Sequence, residues 1–69
     1  MELHWKAGAS ILVKAENGAA VVAANREGLL SLAAHLTALA GEEPGAHIHL
    51  DDFNSLEDGS AELILERIR

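Results

Sequence analysis

Sixty-nine residues suffice for one domain, residues 1–69, but a chain this short buries only about 60% of its unfolded surface, so its core is thin and oligomerisation or a partner is a common supplement. The absence of cysteine excludes disulfides and thiolate metal sites together. No run approaches the roughly 18–20 apolar residues that cross a bilayer, and the opening residues, Glu2 among them, lack a basic-then-apolar export signal, so a cytoplasmic chain with no membrane association is expected.

The formal charge is −6, and its placement is informative. Up to residue 40, Glu2, Glu16 and Glu27 balance Lys6, Lys14 and Arg26. Beyond it, Glu42, Glu43, Asp51, Asp52, Glu57, Asp58, Glu62 and Glu66 face only Arg67 and Arg69, so the whole excess lies in the last third. That argues against nucleic acid, which is bound through a basic footprint that displaces counterions. It suits a basic protein partner attracted by opposite charge, or carboxylates that merely face water.

In chain order, Glu2 to Lys6 reads as a first strand, with Leu3 and Trp5 on one face and His4 on the other. Ser10 to Ala15 alternates as a second strand. Asn17-Gly18 then supplies two residues tolerant of positive φ, the requirement of a tight type I′ hairpin, and Gly18 to Ala24 returns. The return strand is apolar on both faces, which predicts either a central strand covered on both sides or alanines that demand little.

Asn25 to Ala40 is the one clear helix. Leu29, Leu32, Ala33, Leu36, Leu39 and Ala40 form a stripe for packing on a sheet, and Leu30, Ser31, Ala34, His35, Thr37 and Ala38 form the outer side. Asn25 is suited to the N-cap, Glu27 to the positive end of the dipole, and Gly41 to a left-handed stop before Pro44. The uncharged outer side suits a homodimer or partner contact, or reflects only the helix propensity of alanine.

Beyond the helix, Ala46 to Asp51 alternates: Ala46, Ile48 and Leu50 point one way, His47, His49 and Asp51 the other. A loop from Asp52 to Gly59 follows, with Phe53 and Leu56 expected to pin it to the core. Ser60 to Ile68 is the last strand, Leu63 and Leu65 opposite Glu62, Ile64 and Glu66. The expected fold is α+β, in two layers: an antiparallel five-stranded sheet with one helix on one face, order β-β-β-α-β-β. Spatial orders 3-2-1-5-4 and 1-2-3-5-4 both satisfy the pairing.

The sequence holds no catalytic or cofactor motif. His47, His49 and Asp51 share a strand face, so together they form a candidate site for zinc or iron, although polar residues on any uncovered sheet face look the same. Asp52-Phe53-Asn54 starts like a calcium loop but lacks the oxygen donor and glycine that should follow. The serines sit in no nucleophile elbow or triad context. What remains is an acidic rim, Asp51, Asp52, Glu57 and Asp58, beside His47 and His49, which suits capture of a basic protein surface.

NREGLLSLA at the helix together with GAHIHLDDFNSLEDGSAELILER at the end resembles a family of small bacterial immunity proteins of polymorphic toxin systems, the immunity family numbered thirty-two. The resemblance implies an α+β fold, no catalysis, no cofactor, and a cognate protein toxin as partner. It brings no established functional residues. The positions that match are His47, His49, Asp51, Asp52, Glu57, Asp58 and Gly59.

Overall fold

A computed structural model describes residues 2–69. Strand β1 (Ile11–Glu16) and strand β2 (Ala19–Ala24) form an antiparallel hairpin in which Glu16 pairs with Ala19 and Ile11 with Ala24. Asn17 (φ 50°) and Gly18 (φ 82°) turn it, both left-handed, as the dipeptide predicts. Ile11 and Val13 of β1 enter the core, whereas most of β2 is exposed. The alanine-rich strand is therefore an edge, not a strand covered on both sides.

Helix α1 (Arg26–Ala40) starts at Asn25, as expected. The Asn25 Oδ1 accepts from the Gly28 N–H at 2.8 Å and from the Ser10 N–H at 3.0 Å, and its Nδ2 donates to the Gly8 carbonyl at 2.8 Å. One side chain thus caps the helix and ties it to the segment before β1. The far end departs from expectation: Gly41 has φ −90°, a right-handed conformation, its N–H donates to the Ala38 carbonyl, and the Glu42 N–H donates to the Leu39 carbonyl.

The helix is also rolled relative to its apolar stripe. Gly28, Ser31, His35 and Leu39 are buried and Leu32 is half-buried, while Leu29, Leu30 and Leu36 are exposed, as are Ala33 and Ala40. Two contacts set the roll. At Gly28 a Cβ would stand 2.6 Å from the Ser10 carbonyl oxygen and 2.9 Å from Ile11 Cγ1, so only glycine lets the helix come this close to β1. A turn further on, Ser31 and His35 accept the backbone N–H groups of Lys6 and His4 respectively.

Those bonds explain why residues 2–6 are not a strand. The Lys6 N–H donates to Ser31 Oγ at 2.9 Å and the His4 N–H to His35 Nε2 at 2.9 Å. Leu3 and Trp5 still alternate inward as the pattern predicts, packing on the core, but the segment is held by helix side chains instead of a neighbouring strand. Leaving such donors unpaired would cost about 1–3 kcal/mol each, more than the roughly 1 kcal/mol lost by half-exposing a leucine.

Strand β3 (His47–Leu50) pairs antiparallel with strand β4 (Leu63–Glu66), His47 opposite Glu66 and Leu50 opposite Leu63. Ile48, Leu50 and Leu56 join Ile11 and Val13 in one core, with Leu3, Trp5, Ala24, Leu32, Leu63 and Leu65 packed around them. The hairpins remain two separate two-stranded sheets. The expected five-stranded sheet, and both proposed strand orders, are thereby overturned. Between the hairpins runs a stitch along the free edge of β1: the Glu57 N–H donates to Ile11 O and the Ala61 N–H to Val13 O, both at 2.8 Å, and Ser60 Oγ accepts from the Val13 N–H. The Asp58-Gly59 turn interrupts this run, with Gly59 at φ 85°, so no ladder forms.

Candidate functional site

The loop after β3 is built on Asp51. Its Oδ1 accepts from the N–H groups of Phe53 (2.9 Å) and Asn54 (3.1 Å), and its carbonyl accepts from Ser55 and Leu56. Asn54 returns two bonds: its Oδ1 accepts from the Asp51 N–H, and its Nδ2 donates to the His49 carbonyl. Asp51 is therefore turned into its own loop and not out with the histidines. An aspartate that accepts from backbone two and three residues on makes a self-supporting turn.

This ordering fixes Phe53. Leu56 is buried and pins the loop as expected, but Phe53 is 96% exposed, against the expectation that both pack inward. Leu56 alone anchors the loop, and Phe53, whose N–H is held by the Asp51 turn, faces outward. The chain has a single phenylalanine, and it stands exposed on the loop that also carries the exposed acidic residues Asp52, Glu57 and Asp58. Sequence reasoning missed it; the available signal was an aromatic ring flanked by polar residues with no periodic apolar partner.

The outer face of β3 and β4 carries His47, His49, Ile64, Glu62 and Glu66, all exposed. His47 and His49 rings meet edge to face with centroids 5.1 Å apart. The His49 Nδ1–H donates to Glu62 Oε2 at 3.1 Å, and the His47 Nδ1–H to the Gly45 carbonyl at 3.1 Å. Among the described residues no group of three or more histidines, cysteines or carboxylates is placed to hold a metal. The trio His47, His49 and Asp51 does not converge, because the Asp51 carboxylate serves the loop.

Charge on this side is weakly compensated. Glu57 accepts from the Ser10 hydroxyl at 2.8 Å, but Asp52 and Asp58 enter none of the ion pairs among the described residues. The Arg67 guanidinium donates to the Glu42 carbonyl. A cleft of about 310 Å³ between the helix end and β3 is lined by Leu39, Glu42, Gly45, Ala46, His47 and Ile48. Its titratable groups are Glu42 and His47, which form no nucleophile–base pair.

What the fold and this surface define is a small α+β domain with an ordered acidic loop, one bare aromatic ring and an uncovered sheet face. The family model described as Immunity protein 32 matches residues 20–68, and the chain belongs to that family. No curated protein and no solved structure matches it. No helix is long and apolar enough to cross a membrane among the described residues.

Proposed function

We propose that this chain is a non-catalytic immunity protein that neutralises a cognate bacterial toxin by direct binding. The contact surface is the loop from Asp51 to Asp58 together with the outer face of β3 and β4. Phe53 is the anchor, Asp52, Glu57 and Asp58 form the acidic rim, and His47 and His49 extend the surface along β3. Asp51 positions the ring through the loop backbone.

The observation that carries this reading is the 96% exposure of Phe53 on a loop whose backbone is already fixed. Exposing an aromatic ring forfeits burial the thin core could use, and pre-ordering removes an entropic cost of binding. Interfaces concentrate their energy in such aromatic anchors, while surrounding charges speed encounter and select the partner. An acidic rim selects a basic toxin surface.

The test is titration against the purified toxin domain encoded beside it, at two salt concentrations. Asp52→Lys with Asp58→Lys should slow association and flatten its salt dependence. Unchanged association kinetics would remove the acidic rim from the interface, and no binding by the unaltered chain would remove the reading itself.

A further inference from the structure

The chain carries three asparagines and no glutamine, and the fold treats the three side-chain amides differently. Asn25 accepts from the Ser10 and Gly28 N–H groups and donates to the Gly8 carbonyl. Asn54 accepts from the Asp51 N–H and donates to the His49 carbonyl. Each of these amides is held at both its oxygen and its nitrogen, and the residues that follow, Arg26 and Ser55, carry side chains beside the next backbone nitrogen. Asn17 stands apart. It is exposed at the hairpin tip, its amide makes no hydrogen bond among the described residues, and the next residue is Gly18.

Gly18 is equally free. In a two-residue hairpin turn the flanking pair, Glu16 and Ala19, exchanges the closing hydrogen bonds and the central residues lie outside the ladder. No backbone hydrogen bond takes the Gly18 N–H among the described residues. A Cβ built on Gly18 would meet nothing within 4 Å, so its nitrogen is open to water and to the neighbouring side chain.

We propose that Asn17 is a self-modification site, at which the Gly18 backbone nitrogen converts the side-chain amide to a carboxylate with water as the only co-reactant. Hydroxide takes the Gly18 amide proton, and the nitrogen attacks Asn17 Cγ. The new N–Cγ bond forms, the Cγ–Nδ2 bond breaks, and Nδ2 leaves as ammonia after taking a proton from water, which regenerates the hydroxide. Water then opens the cyclic imide at either carbonyl. Opening at one gives aspartate, and opening at the other routes the backbone through the former side chain as isoaspartate.

Ring closure requires the Asn17–Gly18 link to rotate out of its left-handed turn setting, φ 50° at Asn17. The tip of the hairpin permits this. Residues 14–20 are all exposed, so the closing bonds of Glu16 and Ala19 open locally at little cost. The other end is held, because the Asn25 N–H donates to the Ser10 carbonyl and Ile11 is buried. Aspartate keeps the turn, since it too tolerates positive φ, but it makes the formal charge more negative than −6 and sets a carboxylate beside Glu16. Isoaspartate lengthens the backbone of a turn whose length fixes the register, so the Glu16–Ala19 pairing is lost while Ile11 and Val13 stay in the core. No residue is shared with the surface proposed for toxin capture, so the two readings fail separately.

The test ages the unaltered chain at neutral and mildly alkaline pH and follows intact mass, ammonia release and peptide maps. The folded chain should gain the mass of amide-to-acid conversion in the peptide holding Asn17, faster at the higher pH, with both aspartate and isoaspartate formed. Asp58-Gly59 releases no ammonia and gains no mass by the same route, so the mass reads asparagine alone. In urea, which opens the turn, Asn17 should convert as well. Constant mass in the folded chain alongside conversion in urea would mean the turn protects the amide, and would overturn the proposal. So would conversion confined to Asn25 or Asn54, or aspartate formed without isoaspartate, which would exclude attack by Gly18.

Discussion

The His35 Nε2 accepts the His4 backbone N–H at 2.9 Å, across thirty-one residues of chain. A backbone N–H can only donate, so the ring proton lies on Nδ1, which donates to the Ser31 carbonyl one turn earlier at 2.7 Å. The Trp5 ring lies 4.4 Å from the His35 ring, between centroids. One buried side chain thus joins the N-terminal segment to the helix and fixes how far the helix is rolled.

His35→Leu should therefore destabilise the domain although it places an apolar residue in an apolar setting. It leaves the His4 N–H unpaired, at about 1–3 kcal/mol. His35→Gln, which can still accept, should lose less. Urea unfolding followed by far-ultraviolet circular dichroism distinguishes them; equal stability of the leucine variant would mean the bond does not hold the segment.

Gly28→Ala opposes two effects. In an open helix the change gains up to about 1 kcal/mol of propensity. Here the new methyl meets backbone, the Ser10 oxygen at 2.6 Å, which cannot swing aside as a flexible side chain would. Overpacking of this kind costs about 1–3 kcal/mol, so a net loss of stability is expected. A raised Tm would show that the helix moves away freely.

Asp51 and Asp52 are neighbours with different work. Asp51→Ala removes the acceptor for two loop N–H groups and should lower stability by about 1 kcal/mol, as loss of a helix cap does. Asp52→Ala, at an exposed position, should stay within about 0.5 kcal/mol. Chemical denaturation of both variants checks the difference, which vanishes if the loop is held by Leu56 alone.

Phe53→Ala should leave folding unchanged, because the ring is almost fully exposed. Under the proposed function it should weaken toxin capture by about 2 kcal/mol or more, roughly thirtyfold in Kd. Calorimetric titration of a variant with unaltered Tm measures this directly; undiminished affinity would place the interface elsewhere.

Features governed by near neighbours are legible in the residues. Asn17-Gly18 makes its hairpin, Asn25 caps its helix, and the alternation from His47 to Leu50 buries Ile48 and Leu50 while exposing both histidines. The acidic excess beyond residue 40 is likewise a property of the chain as written. The stripe of Leu29, Ala33, Leu36 and Ala40 misleads, because periodicity states where apolar residues recur and not which line of the helix meets the rest of the molecule. The Gly28 contact and the His4 and Lys6 donors decide that, and neither is local.

The sequence by itself thus determined the turns, the helix start, the strand alternation, the charge distribution and the family, each set within a few residues or by composition. Tertiary structure alone decided that residues 2–6 lie against Ser31 and His35, that the hairpins stay apart, that β2 is an edge, and that Phe53 faces water. In a core this small a distant backbone donor that needs an acceptor outweighs the partial burial of a leucine, and the Asp51 turn, with Leu56 as the loop's buried anchor, leaves the Phe53 ring outside.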